Sequence, residues 1–327
     1  MQDVNYVVGT MFYKLSSALL LTGSIFFLGS CGINQSATNS GDAATGDAII
    51  LTDVSFDPDS LIPETQPVAD YLANNLKKAG ITQGEVKITP DVDTVAEWMA
   101  LGEVNIYFDS VFPAMLVMEK ARATPILRRH KDGVPEYNTL FVVRKDSAIS
   151  DLESLQGQMI AMQAPSSSSG FMFPLIELMD ANLSPVAKAE ANHQVEDSEI
   201  GYVFSGEDET TVEWILNGKV QAGALDSETW AEVSDADRKE LMVIAETAKY
   251  PRHMVVVGPS LSDDQIEAVK TVLLDMEDSK QGRAALVEFS ETAEFDEFPE
   301  GADEAVIQLQ DAYNRVKEHL AAQEILS

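Results

Sequence analysis

The sequence predicts an α/β protein built from strand–helix units, on two observations. Short β-rich runs alternate with amphipathic segments along most of the chain. The 327 residues, 45% of them hydrophobic, are enough to fill two domains of ordinary size around real cores.

The strands are expected at 48–54, 85–89, 104–108, 139–144, 159–163, 220–225, 241–245 and 253–257, and the alternation implies parallel pairing. Val68, Leu72 and Leu76 share one helical face in a segment with Pro67 near its start and Gly80 after its end. Val306, Leu309, Tyr313, Val316 and Leu320 make the same kind of stripe in a C-terminal helix. Both stripes are read as plain core.

The N-terminus has the layout of a bacterial lipoprotein signal. Lys14 precedes an apolar run over 19–28, which ends in Leu28-Gly29-Ser30-Cys31. That run is short of the roughly 20 residues a spanning helix needs. A start at Met11 would leave a compact Met-Phe-Tyr-Lys leader. Cys31 is the only cysteine, so no intramolecular disulfide can form, and its expected job is to carry lipid after cleavage before it. Small and polar residues then run to Asp47 as a flexible tether. The expected organisation is a signal peptide at 1–30, a tether at 31–47, one lobe from 48–142 with 246–327, and a second lobe from 143–245.

The formal charge of -32, from 54 acidic and 22 basic residues, argues against a polyanionic partner such as nucleic acid. It reads as a solvated surface suited to salty surroundings. No G-x-S-x-G, P-loop, H-E-x-x-H or dinucleotide-binding glycine pattern occurs, and the four histidines, His130, His193, His253 and His319, have no partners at ligand spacing. No enzyme activity, metal or cofactor is expected.

One polar cluster stands out: Pro165-Ser166-Ser167-Ser168-Ser169-Gly170, after an apolar strand and before a helical segment at 171–179. The start of a helix concentrates unpaired N–H donors and about half a unit of positive charge, which suits an oxyanion. Hydrogen bonds to charged groups are worth about 1.5–3 kcal/mol each, so four or five approach the ~8 kcal/mol of a micromolar complex before binding costs. Neutral donors can do this without a lysine. The plainer alternative is a helix cap and turn. Pro174 implies a helix that bends or starts late.

With Tyr137-Asn138-Thr139-Leu140-Phe141-Val142-Val143-Arg144-Lys145-Asp146-Ser147, Leu152 to Gly157, and Ser167-Ser168-Ser169-Gly170, the chain resembles the phosphonate, phosphite and phosphate solute-binding family of ABC importers. The likeness covers about residues 48–316. Leu216-Asn217-Gly218-Lys219 followed by Ala222-Gly223-Ala224-Leu225-Asp226 looks like the family's second-lobe strand and its ligand-facing acid. The resemblance implies a two-lobed type II periplasmic-binding-protein fold with two hinge-crossing strands, near 139–146 and 241–257. It implies that Ser167, Ser168 and Ser169 hold phosphoryl oxygens, that Gly170 lets the backbone approach, and that the middle serine stands where the family usually has threonine.

Three places depart from the family pattern. Phe56 aligns with a tyrosine, Asp208 stands where a histidine follows glycine, and Pro251-Arg252-His253 replaces Pro-Asn-Asp. An Asp208–His253 pair in the pocket would keep one acid and one imidazole, and Arg252 would add a cation. In the segment 103–113, Tyr107 is expected to touch ligand, and Asp109 or Asp226 to select a protonated oxyanion or an amino group. The expected function is a monomeric, lipid-anchored extracytoplasmic receptor that delivers a small phosphorus oxyanion to an ABC permease and its ATPase. The alternatives are a receptor for another small anion or zwitterion, a sensing module for a membrane kinase, or a secreted phosphoester enzyme.

Overall fold

A computed structural model of the protein describes residues 47–323. The expected signal peptide, Cys31 and the tether up to Gly46 lie outside the described residues.

Fourteen strands form among the described residues: β1 (Ala48–Val54), β2 (Gln83–Thr89), β3 (Ile106–Asp109), β4 (Thr124–Arg129), β5 (Glu136–Tyr137), β6 (Thr139–Arg144), β7 (Met159–Met162), β8 (Pro185–Ala187), β9 (Ile200–Phe204), β10 (Ala222–Asp226), β11 (Leu241–Glu246), β12 (Tyr250–Pro251), β13 (His253–Val257) and β14 (Phe295–Asp296). Ten α-helices accompany them: α1 (Pro58–Asn75), α2 (Val92–Leu101), α3 (Val111–Ala121), α4 (Phe173–Asp180), α5 (Asp208–Leu216), α6 (Ser227–Glu232), α7 (Asp235–Arg238), α8 (Asp263–Leu274), α9 (Lys280–Glu288) and α10 (Ala302–Ala322).

Each lobe is built on a six-stranded sheet, in the order β14-β4-β13-β3-β1-β2 and β11-β6-β10-β7-β9-β8. The pairing is mixed rather than parallel throughout. β1 runs parallel to β2 and β3, and β7 parallel to β9 and β10, as strand–helix units require. β13 runs antiparallel to β3 and β4, and β6 antiparallel to β10 and β11, because these strands arrive from the other lobe rather than over a local crossover helix. β5 and β12 pair antiparallel, Tyr137 opposite Tyr250, as the two-stranded ribbon that joins the lobes.

The first crossing therefore precedes the expected 139–146, whose strand residues 139–144 form β6 and belong to the second sheet. The expected lobe boundaries at 142/143 and 245/246 likewise fall inside β6 and β11.

All eight expected β-runs are strands, and two longer strands were not read from the sequence. β9 contains Gly201, which looks like a break. A Cβ there would lie 2.5 Å from Val195 Cγ2, so the glycine serves close packing. β4 ends in Arg128-Arg129, whose side chains are buried against the pattern that marks a core strand. α1 begins nine residues before Pro67, at Pro58 behind the capping Asp57, and carries Pro63 and Pro67 inside it. Its buried face includes Val68 and Leu72, with Leu76 buried at its end, and Gly80 takes the left-handed conformation at φ 83°.

The C-terminal stripe is buried as expected at Leu309, Tyr313, Val316 and Leu320. α10 contacts both lobes: Tyr313 donates to Glu119 of α3 at 2.7 Å, and Arg315 pairs with Asp180 of α4 at 2.8 Å. No helix among the described residues is long and apolar enough to cross a membrane.

Candidate ligand-binding cleft

The C-terminal ends of β1, β3, β7, β9 and β10 turn toward a cleft of roughly 550 Å³ between the lobes. Parallel strands place ligands there, because the loop after each strand and the first turn of the next helix meet at one edge. Lining residues include Asp109 and Ser110 before α3, Ser166 to Ser169 after β7, Asp208 at the start of α5, Asp226 and Glu228 around the start of α6, and Tyr137, Arg252 and His253 at the hinge.

The serine segment forms a wide, π-helical turn over Ser168–Met172 that runs into α4 at Phe173. Pro174 sits in the first turn of α4, where its missing N–H costs nothing, so the α-helix proper starts late. Ser167 Oγ accepts from Gly170 N at 2.9 Å as the cap, which leaves its own proton free to donate. The backbone N–H groups of Ser168 and Ser169, the first two of the turn, have no protein acceptor among the described residues. A Cβ on residue 170 would lie 2.4 Å from Gln163 Cβ, so Gly170 permits the close return of the turn onto Gln163, whose N–H donates to Gly170 O at 3.0 Å.

Ser168 is committed differently. Its Oγ accepts from Phe112 N at 2.7 Å and donates to Ser110 Oγ at 2.9 Å, and Ser110 Oγ in turn donates to Asp109 Oδ1 at 3.1 Å. The hydroxyl of one lobe thus caps the helix of the other.

The carboxyl groups divide by environment. Burial, and then the charge of Asp109, push the Asp53 carboxyl up to about 7. Asp109 is also raised by burial, although it accepts from the Tyr107 hydroxyl and from Ser110 N–H at 2.6 Å. Burial and then Asp226 raise Asp208 to about 7, and Asp208 accepts from Gln163 Nε2 at 2.8 Å. Asp226 caps α6, accepting from Thr229 N at 2.8 Å. Burial and then the charges of Lys131, Arg129 and Arg252 hold His253 well below its ordinary value, so its imidazole is neutral.

Of the residues singled out from sequence, Ser167, Ser168, Ser169, Asp208, Asp226, Arg252 and His253 line the cleft, and Gly170 supports it from behind. Asp208 and His253 face the same space from different lobes but make no hydrogen bond to each other; Asp208 is bound to Gln163. Two residues lie elsewhere. Phe56 is 92% exposed and is not part of the cleft wall, because the chain leaves β1 for solvent before Asp57 caps α1. Tyr107 is fully buried beneath Asp109 and reaches the cleft only through it.

Arg252 is already engaged: it donates to Asp132 at 3.2 Å, lies 3.4 Å from Glu228 and sits 4.8 Å over the Tyr137 ring. Sequence reasoning did not single out Tyr137, Gln163, Lys131, Asp132 or Glu228 as site residues. Tyr137 opens the family-like motif and so carried a signal; the others come from turns and strand ends without periodicity.

The family model described as "ABC transporter, phosphonate, periplasmic substrate-binding protein" matches residues 53–304. The chain belongs to this family. It is a transport family, not an enzymatic one, and its members work outside the cytoplasm. Among similar proteins, the phosphate-import protein PhnD of Mycolicibacterium smegmatis is 24% identical over 211 residues, which cover 62% of this chain and 64% of that protein. The match thus spans less than two thirds of that relative. XAC2383 from Xanthomonas citri, solved with chloride, superposes with a TM-score of 0.79 at 24% identity, over 84% of this chain and all of that one. PhnD1 from Prochlorococcus marinus, solved with methylphosphonate, superposes with a TM-score of 0.55 at 18% identity, over 81% and 98% of the two chains. These likenesses place the phosphonate-binding family member in the type II periplasmic-binding-protein fold.

Proposed function

We propose that this protein is a lipid-anchored, monomeric receptor that binds a small phosphorus oxyanion, a phosphonate, phosphite or phosphate, between its lobes and delivers it to an ABC permease and its ATPase. The observation that carries this reading is the serine turn. Two N–H groups with no acceptor among the described residues and the free hydroxyl proton of Ser167 lie at one cleft wall, a donor array that suits a tetrahedral oxyanion. The methylphosphonate bound to PhnD1 and the phosphate-import name of the mycobacterial relative support the same ligand class.

Calorimetric titration of the purified protein with phosphate, phosphite, methylphosphonate and 2-aminoethylphosphonate, against sulfate and glycine betaine, tests the reading. Micromolar or tighter binding to one phosphorus compound is expected; silence toward all four refutes it.

A zwitterionic ligand is the second reading, favoured by Asp208, Asp226, Glu228 and Glu232 on the second-lobe side of the same cleft. It predicts tighter binding of 2-aminoethylphosphonate than of methylphosphonate. The anchor is tested separately: Cys31→Ala should release the protein from membranes, and persistent membrane association would undo the lipoprotein reading.

A further inference from the structure

The cleft wall carries two cations. Arg252 is held by Asp132 and Glu228, whereas the ammonium of Lys131 makes no hydrogen bond or ion pair among the described residues. Lys131 stands in the turn after β4, where Asp132 at φ 56° and Gly133 at φ 74° reverse the chain. That turn is fastened by Asp132 N to Ser290 O at 3.2 Å, Gly133 N to His130 O at 3.2 Å and Val134 N to Lys131 O at 3.0 Å. The lysine is therefore held at the cleft by a fixed backbone.

Carboxyl groups surround it, Asp132 and Asp53 among them, but none among the described residues contacts its ammonium. Behind it lies Arg129, buried and bound to Thr292 and Phe289 O, both at 2.9 Å. Burial, and then the charges of Arg252 and Arg129, lower the Lys131 pKa against the opposing pull of Asp132 and Asp53. Six carboxyl-bearing residues, Asp109, Asp132, Asp208, Asp226, Glu228 and Glu232, line the same cleft, so an entering anion meets a field that neutral hydroxyls and amides alone do not reverse.

We infer that Lys131 is the counter-charge for the bound oxyanion and orients it. The anionic end of the ligand lies against Lys131 and the serine turn, and the other end faces Asp208, Asp226 and Glu228. The cleft then takes compounds with one compact anionic group and an uncharged or cationic remainder, and rejects those with an anion at both ends. This inference rests on the oxyanion reading above.

The test is calorimetry on the full chain with methylphosphonate, 2-aminoethylphosphonate and phosphonoacetate, comparing wild type, Lys131→Met and Lys131→Arg. Lys131→Met should weaken methylphosphonate binding roughly tenfold to a hundredfold, as loss of a charge-assisted contact does, with Lys131→Arg between it and wild type. Phosphonoacetate should be the weakest of the three ligands for wild type. Wild-type affinity in Lys131→Met overturns the inference while leaving the oxyanion reading intact.

If wild type binds none of these compounds, or Lys131→Met does not fold, the lysine is read directly in the wild-type chain. The acylation rate of Lys131 is followed by mass spectrometry with phosphate, sulfate, chloride or acetate present. Slowing by any of these anions supports the counter-charge; equal rates with all of them overturn it.

Discussion

Replacing Ser168 by alanine tests whether the lobes are tied to each other through the ligand wall itself. The side chain is 1% exposed and joins Phe112 N and Ser110 Oγ of one lobe to the serine turn of the other. Alanine strands the buried Phe112 N–H, at about 1–3 kcal/mol, and removes a neutral hydroxyl–hydroxyl bond worth about 1 kcal/mol. Because the donors and the acceptor belong to different lobes, the loss of about 2–4 kcal/mol falls on their approach and not on the folding of either.

A closed state disfavoured by that amount is about 30 to 1,000 times less populated relative to the open one, and apparent affinity falls by up to the same factor. Small-angle X-ray scattering of the ligand-free protein reads the opening as a larger radius of gyration, and calorimetry reads the affinity. Ser168→Thr keeps the hydroxyl and should preserve both. An unchanged radius of gyration together with an unchanged Kd in Ser168→Ala would refute the idea that this hydroxyl couples the lobes.

Gly170→Ala forces a Cβ to 2.4 Å from Gln163 Cβ, and overpacking of this kind costs about 1–3 kcal/mol, so urea unfolding should show a lower midpoint and titration a weaker oxyanion site. Asp208 has a folded pKa of about 7, above the 3.8 of an ordinary aspartate, so its protonated form stabilises the fold fully below pH 4 and that contribution is lost as pH rises through 7. Asp208→Asn should therefore leave stability near wild type at pH 4 and raise it by on the order of 2–4 kcal/mol at pH 8, read by denaturant titration at the two pH values. Phe56→Ala removes an exposed ring, so stability should change by less than about 0.5 kcal/mol and ligand affinity should hold; a tenfold loss would show that the ring reaches the ligand on closure.

Local order was legible in the chain because it depends on neighbours in sequence. The eight expected strands, the α10 stripe and the late helix start at Pro174 follow from apolar periodicity and from the missing N–H of proline. The serine cluster was legible as well, since a helix start after a strand exposes its donors wherever the rest of the chain goes.

Tertiary structure decided what depends on residues far apart. Strand direction came from the hinge: β6 and β13 run against their neighbours because the chain reaches them from the opposite lobe. The three serines took different tasks, cap for Ser167 and interlobe tie for Ser168, because Phe112 and Ser110 sit more than fifty positions away in sequence and yet within hydrogen-bond distance. Arg252 is held by Asp132 and Glu228, which leaves Lys131 as the cleft cation without an ion pair among the described residues. Charge pairing is settled by distance through space, which periodicity does not encode.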